Sequence, residues 1–187
     1  VRPHAWPVKG HQSLVDHLRD FIEALCLDNV YLIGNSQGAY VAAKYAIDHP
    51  EKVGKIVYIG SNTVYQAMHD KPLRKMRSFL EVIGYDYTEE SLRSFMTRNI
   101  ANGTEVPEEL IQLRHTAATR PGVKEANDAF DAYIARMNDE PKLWTRYSLK
   151  DALPKLDIPS IFIWGKQDHV APVEVGEKLA AMLPNVP

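Results

Sequence analysis

The chain has 187 residues, 45% of them hydrophobic and 25% charged, with a formal net charge of −2. That length buries one ordinary core, and the composition is that of a folded globular chain rather than a fibrous or disordered one. A near-neutral total with Lys and Arg scattered gives no basic face, so nucleic acid is excluded as the main partner. No apolar run approaches the roughly 20 residues that span a bilayer, so no membrane partner is expected. Val1-Arg2-Pro3-His4-Ala5-Trp6-Pro7 lacks the charged-then-apolar order of a leader, which gives secretion no support. The single cysteine, Cys26, leaves no intrachain disulfide and no cysteine metal cluster, and a reducing cytoplasm is the expected setting.

The first element runs from about His11 to Leu27. Leu14, Val15, Leu18, Phe21, Ile22 and Leu25 recur there every three or four residues and predict an amphipathic helix. Cys26 falls on its apolar side and reads as a core residue. Asp28-Asn29 breaks the pattern, and Val30-Tyr31-Leu32-Ile33 is a continuous apolar run typical of a parallel strand covered on both faces. Gly34 to Gly38 makes a small-residue turn. From Ala39 to about His49 the helical period returns, and Pro50 closes it. Lys55-Ile56-Val57-Tyr58-Ile59, ending at Gly60, is the next strand, and this order of elements predicts a parallel α/β sheet. From about Tyr65 to Leu149 no strand signal appears. Helical stretches there are broken at Gly84, Asn102-Gly103, Pro107, Pro121-Gly122 and Pro141. Alternation resumes with a strand at Ile161-Phe162-Ile163-Trp164, a loop from Gly165 to Pro172 and a helix from Val173 to Leu183. The expected architecture is α/β, with core segments at 1–64 and 151–187. An all-helical lid is inserted at 65–150, over the strand ends where open α/β sheets bind ligands.

Gly34-Asn35-Ser36-Gln37-Gly38 fits the G-x-S-x-G turn, with a strand before it and a helix after it. A serine on so sharp a turn is held in a strained backbone region that pushes its hydroxyl toward a base. Close packing around it predicts a requirement for glycine at both Gly34 and Gly38. The N–H of Gln37 opens the following helix and is placed to donate to an oxyanion. A turn of small residues with an incidental serine is the plainer alternative. Strand, turn and alanine-rich helix together favour Ser36 as a nucleophile. Asp168 sits on the loop leaving the carboxyl end of the 161–164 strand, where a carboxylate orients an imidazole and stabilises its charged form. An aspartate there also serves to cap the helix that starts at Val173. The serine turn upstream favours the catalytic acid, and the competing Asp157 precedes the strand, at the wrong end of the sheet.

In such a triad the histidine follows the acid. Only His169 does so, and as the immediate neighbour of Asp168 it diverges from it on the loop, so it is rejected as the base. His49, His69 and His115 have solvated or structural roles. The triad histidine is therefore expected beyond Pro187. The early strands and the loop giving a second oxyanion donor are expected ahead of the first helix, and the chain reads as part of a longer protein.

With turn, helical block and acid loop in place, the chain resembles the α/β-hydrolases. Among these it is most similar to the meta-cleavage product hydrolases of aromatic degradation, which cut a carbon–carbon bond in 2-hydroxy-6-oxo-dienoates. The likeness spans nearly all of the chain. It is carried by Asp28-Asn29-Val30-Tyr31-Leu32-Ile33-Gly34-Asn35-Ser36, by Pro107-Glu108-Glu109-Leu110-Ile111-Gln112-Leu113-Arg114, and by Trp164-Gly165-Lys166-Gln167-Asp168 with Pro172. The resemblance implies Ser36 as nucleophile, Asp168 as triad acid, Asn35 as a polar contact near the reacting dienol, and Arg114 as a clamp on the substrate carboxylate. A planar guanidinium suits that last role because it binds carboxylate bidentately. By composition alone Arg114 is a solvated surface arginine and Asn35 a turn residue satisfying backbone groups. The resemblance further implies a small-molecule substrate, no cofactor and no metal, and an assembly that is often a homo-oligomer, with no interface legible here.

Two departures stand out. Family members usually carry methionine and two glycines after the serine, where this chain has Gln37, Gly38 and Ala39. Gln37 brings a longer polar side chain near the oxyanion position and bears on the substrate. The expected function is a serine-nucleophile hydrolase cleaving a carbon–carbon bond. A carboxylesterase on the same fold and a noncatalytic ligand-binding relative are the alternatives. Phe79, Phe95, Phe130 and Trp144 are candidates to shape a pocket for the substrate's tail, although core packing is the commoner use of such residues.

Overall fold

The computed structural model describes residues 9–100, 105–183 and 186. The N-terminal stretch Val1 to Pro7 and the Asn102-Gly103 break lie outside the described residues. In chain order the elements are α1 (Gln12–Ala24), β1 (Val30–Asn35), α2 (Gln37–Asp48), β2 (Val53–Ile59) and α3 (Asn62–Ala67). Then come α4 (Phe79–Ile83), α5 (Glu89–Arg98), α6 (Glu108–Ala118) and α7 (Val123–Asp139), followed by α8 (Pro141–Tyr147), β3 (Ser160–Ile163) and α9 (Val173–Met182). They divide into two compact units. One is built from His11–Arg74 together with the residues from Glu140 onward, and the other from Lys75–Asp139 with Gly10.

The first unit is organised by a parallel sheet in the order β1-β2-β3. Its register places Leu32, Ile56 and Ser160 in one row, Ile33, Val57 and Ile161 in the next, and Gly34, Tyr58 and Phe162 after that. Successive side chains alternate between the two faces. On one face Ile56 and Tyr58 are fully buried, and α2 packs against the sheet through the buried small residues Ala39, Ala42, Ala43 and Ala46. Burial of an isoleucine such as Ile56 stabilises by about 1.5–3 kcal/mol. The other face is open among the described residues: Tyr31, Ile33, Ile161 and Ile163 are 65%, 72%, 44% and 50% exposed. Of the two faces expected to be covered, the described residues cover one. A continuous apolar run does not reveal which of its two alternating rows meets a neighbour.

Helix α1 also ends earlier than its apolar periodicity suggests. Its last turn closes with Leu27 N–H donating to Ile22 O and Cys26 N–H donating to Glu23 O, both at 3.0 Å. Cys26 holds the left-handed position at φ 50°. This double bond pattern is a Schellman stop, which normally uses glycine at that position. It turns Cys26 out to solvent, so the expectation of a core cysteine is wrong. Phe21 and Leu25 are exposed too, and Val15 and Ile22 form the buried stripe.

Helices α3 and α8 belong with the sheet and are tied to it and to each other by polar contacts. Tyr40 OH donates to Tyr147 O at 3.1 Å, and Tyr147 OH donates to Thr63 O at 2.7 Å. Trp144 Nε1 donates to His69 O at 2.9 Å. The buried Trp144 thus serves this core rather than the pocket envisaged for it. Tyr40 and Tyr147 stack at 4.7 Å, and His11 packs against both rings at 5.2 and 4.8 Å.

His11 is 3% exposed, and burial pushes its pKa down to about 3. An unfolded histidine takes up a proton near about 6.5. Between those two values the unfolded chain binds a proton that the folded chain refuses. Stability from the neutral ring is therefore complete above the higher value and is lost as pH falls toward the lower one. The urea midpoint is expected to drop between pH 7 and pH 5, and His11→Phe to shrink that drop. An unchanged drop in the variant removes the ring as its source.

The second unit packs α4, α5 and α6 around Ile83, Tyr85, Leu92, Met96, Val106 and Ile111. Ser78 and Thr88 cap α4 and α5 by accepting from Glu81 N–H and Ser91 N–H. Arg93 bridges Glu89 at 2.8 Å and Glu108 on α6, and it holds the Glu108 carboxyl below its usual range. Ser78 Oγ donates to Asp131 on α7 at 2.7 Å. Phe79 and Phe95 meet edge to face at 6.4 Å, Phe79 on the exposed side and Phe95 against the core.

Candidate active site

The turn between β1 and α2 carries the unusual backbone that its sequence demands. Ser36 has φ 51° and ψ −115°, a region that side-chain-bearing residues seldom adopt. Neighbouring backbone enforces it. Ser36 N–H donates to Ile59 O at 2.9 Å, and the Ser36 carbonyl accepts from Ser61 Oγ at 2.7 Å and from Ala39 N–H at 3.1 Å. Asn35 adds a bond from Nδ2 to the same Ile59 O at 3.2 Å. The last residues of β2 and those just after it therefore hold the serine by both of its peptide groups. Gln37, the first residue of α2, has an N–H without an intrahelical acceptor, as every helix start does.

The need for glycine is one-sided. A Cβ added at Gly34 would lie 2.4 Å from Gly38 O and 2.5 Å from Ala39 N, which backbone cannot yield. A Cβ added at Gly38 would meet nothing within 4 Å. The expectation that both glycines are required is corrected for Gly38. The close approach is of Gly34 onto the helix backbone, while the α-carbon hydrogen of Gly38 faces open space.

The acid loop arrives beside the same strand ends. Asp168 Oδ1 accepts from Val170 N–H at 2.8 Å and Ala171 N–H at 2.7 Å. These donors precede the first residue of α9, so Asp168 shapes its own loop and does not cap the helix. Oδ2 has no hydrogen-bond partner among the described residues. It faces Gly60, where an added Cβ would lie 3.2 Å from Oδ2 and 3.8 Å from Asn35 Nδ2. Gly60 adopts φ 48° and leaves room for both side chains. Its N–H donates to Ile163 O at 3.0 Å, joining the ends of β2 and β3. Asn35 and Ser36 at the carboxyl end of β1 and Asp168 beyond that of β3 thus lie on the same edge of the sheet, with Gly60 at the end of the intervening β2 between the amide and the carboxylate. Asp157 is exposed, ahead of β3.

Residues 3–186 match the model of the alpha/beta hydrolase fold family. The chain belongs to this family. It is similar to a 2-hydroxy-6-oxononadienedioate/2-hydroxy-6-oxononatrienedioate hydrolase of Paraburkholderia phymatum, at 26% identity over 90% of this chain and 56% of the relative. A 2-hydroxy-6-oxo-2,4-heptadienoate hydrolase of Pseudomonas putida is 30% identical over 97% of this chain and 62% of the relative. Among solved structures, the 2-hydroxy-6-oxo-6-phenylhexa-2,4-dienoate hydrolase of a Rhodococcus species aligns with a TM-score of 0.73 at 16% identity, covering 97% of this chain and 62% of that one. That last likeness carries the fold alone. The chain spans 56% to 62% of the length of these curated relatives.

Within this α/β-hydrolase chain the remaining site candidates fall as follows. Arg114 lies on α6 of the second unit, exposed, with no ion pair or hydrogen bond from its guanidinium among the described residues. No described histidine is hydrogen-bonded to Ser36 or Asp168. His69 Nδ1 pairs with Tyr65 O at 2.8 Å, His115 Nε2 pairs with Tyr87 O at 3.1 Å, and His49 rests against Tyr45. No group of three or more metal-ligating side chains occurs among the described residues, and none of their helices is long and apolar enough to cross a membrane. Sequence reading missed two supports of the site. Ser61 is signalled only by the cap-like Ser61-Asn62-Thr63-Val64. Trp164 donates from Nε1 to Ala171 O at 2.7 Å across the acid loop, and its ring sits where a Cβ at Gly176 would approach to 2.7 Å. The pair of Trp164 and Gly176, twelve residues apart, is a packing match that no local pattern announces.

Proposed function

We propose that this chain carries the nucleophile and acid of a serine hydrolase that cleaves a carbon–carbon bond in a 2-hydroxy-6-oxo-dienoate. The observation that carries the reading is the backbone of Ser36. Such a conformation costs about 1–3 kcal/mol and persists where surrounding structure over-determines it, as at nucleophilic turns. In this reading an imidazole held by Asp168 Oδ2 helps ketonise the dienol and then takes the proton of Ser36 Oγ as the oxygen attacks the distal carbonyl. The Gln37 N–H stabilises the oxyanion. Collapse breaks the carbon–carbon bond, the leaving carbon is protonated, and water hydrolyses the acyl-enzyme. Asn35 contacts the substrate near the dienol. In the same reading the guanidinium of Arg114, on α6 of the second unit, binds the substrate carboxylate. The names of the curated relatives support this substrate class.

A carboxylesterase is the second reading, favoured by Gln37 in place of the methionine common after the serine. One experiment separates the readings in the intact protein. A fluorophosphonate is expected to label wild type at Ser36 and to leave Ser36→Ala unlabelled. Arg114→Gln is expected to lower kcat/KM for an anionic dienoate by about 10–100-fold, as loss of a charged hydrogen-bonded pair does, and to leave a neutral nitrophenyl ester nearly untouched. Equal losses on both substrates sink the clamp and favour the esterase. Absence of labelling at Ser36 favours a noncatalytic binding protein.

A further inference from the structure

We propose that Ser61 is a positioning residue that aims the Gln37 N–H at the developing oxyanion; the inference rests on the nucleophile reading given above. Ser61 is fully buried, immediately after Gly60 at the end of β2. Its hydroxyl has two partners: it accepts from Val64 N–H at 3.1 Å and donates to the Ser36 carbonyl at 2.7 Å. Val64 N–H can only donate, so the hydroxyl proton is left to point at Ser36 O. A peptide group is planar, and the Ser36 carbonyl belongs to the same plane as the N–H of Gln37. Fixing the direction of the one therefore fixes the opposite direction of the other. Donation to that carbonyl also polarises the peptide and strengthens its N–H as a donor.

The geometry separates this role from simple helix capping. A cap needs only the lone pair that accepts from Val64 N–H, and α3 would be capped equally well by a hydroxyl whose proton pointed elsewhere. Here the proton lies on the strained residue, whose N–H is already held by Ile59 O at 2.9 Å. Both peptide groups flanking Ser36 are thereby fixed from the β2 side. Ser36 supplies the attacking oxygen, and the peptide that follows it supplies the donor. A tilt of that peptide would misdirect the donor without moving the substrate.

The test compares wild type, Ser61→Ala and Ser61→Cys in the intact protein, with a nitrophenyl ester as substrate and a trifluoromethyl ketone as an inhibitor that places an oxyanion in the site. Ser61→Cys keeps the size of the side chain but is a weak donor. Both variants are expected to lose about tenfold in kcat with KM little changed, and to bind the trifluoromethyl ketone more weakly by the same factor. Unchanged kcat in a folded variant overturns the proposal. So does a loss of kcat without a matching loss of inhibitor affinity, since that is the pattern of a merely loosened fold. If Ser61→Ala does not fold, Ser61→Cys decides on the same criteria. A wild-type protein that fluorophosphonate does not label at Ser36 brings down the nucleophile reading instead, a result independent of either variant.

Discussion

Asp168→Asn is expected to lower kcat by about four orders of magnitude while leaving the chain folded. The reason lies in how the two carboxylate oxygens are used. Oδ1 accepts from the N–H groups of Val170 and Ala171, so an amide placed here must keep its oxygen on that side; its NH2 group would face two donors if it turned. The amide nitrogen is thereby forced into the place of Oδ2, beside Gly60. In the proposed triad it would donate to the imidazole instead of accepting from it, fixing the tautomer whose remaining proton faces Ser36 and leaving no base. Circular dichroism and a thermal melt should be close to wild type, because both loop hydrogen bonds survive. Asp168→Ala, by contrast, should lose stability as well as turnover. A kcat for Asp168→Asn within tenfold of wild type would remove Asp168 from the role of triad acid.

Gly34→Ala and Gly38→Ala should behave as opposites although the two glycines flank the same serine. At Gly34 the added methyl is driven to 2.4 Å from a backbone oxygen and 2.5 Å from a backbone nitrogen of α2. Neither atom can move without breaking the first turn of the helix or lifting it from the sheet. A cost of about 3 kcal/mol or more is expected, at the upper end for overpacking because the obstruction is backbone. Loss of Ser36 labelling should accompany it. At Gly38 the methyl enters open space inside a helix, where alanine is preferred by about 0.5–1 kcal/mol. Urea unfolding of the two variants checks both signs. A destabilised Gly38→Ala would mean that the turn needs flexibility that its static contacts do not express.

What could be read from the sequence and what could not divide along physical lines. The turn at Gly34 to Gly38 is legible because strain and close approach leave few residue types that fit, and the same is true of the order of strands and helices around it. The place of Asp168 on a loop leaving the carboxyl end of a strand is legible as well. The covered face of the sheet is not, because Val30-Tyr31-Leu32-Ile33 is equally apolar on both of its rows. Nor is the fate of Cys26, since helical periodicity continues for two residues past the point where the Schellman bonds stop the helix. Gly38 misleads for the opposite reason: a motif reports the residue present, not the space around it. Ser61 looks like any serine before a short helix, and only the direction of its hydroxyl sets it apart.

The outward turn of Cys26 has a practical side. It is the only thiol in the chain, and it sits on a stop held by two backbone hydrogen bonds at 3.0 Å. A maleimide dye or nitroxide attached there would ride on ordered backbone between α1 and β1 and report the tumbling of the sheet unit rather than the swing of a loose tether. Within these 187 residues no second thiol would compete for the label.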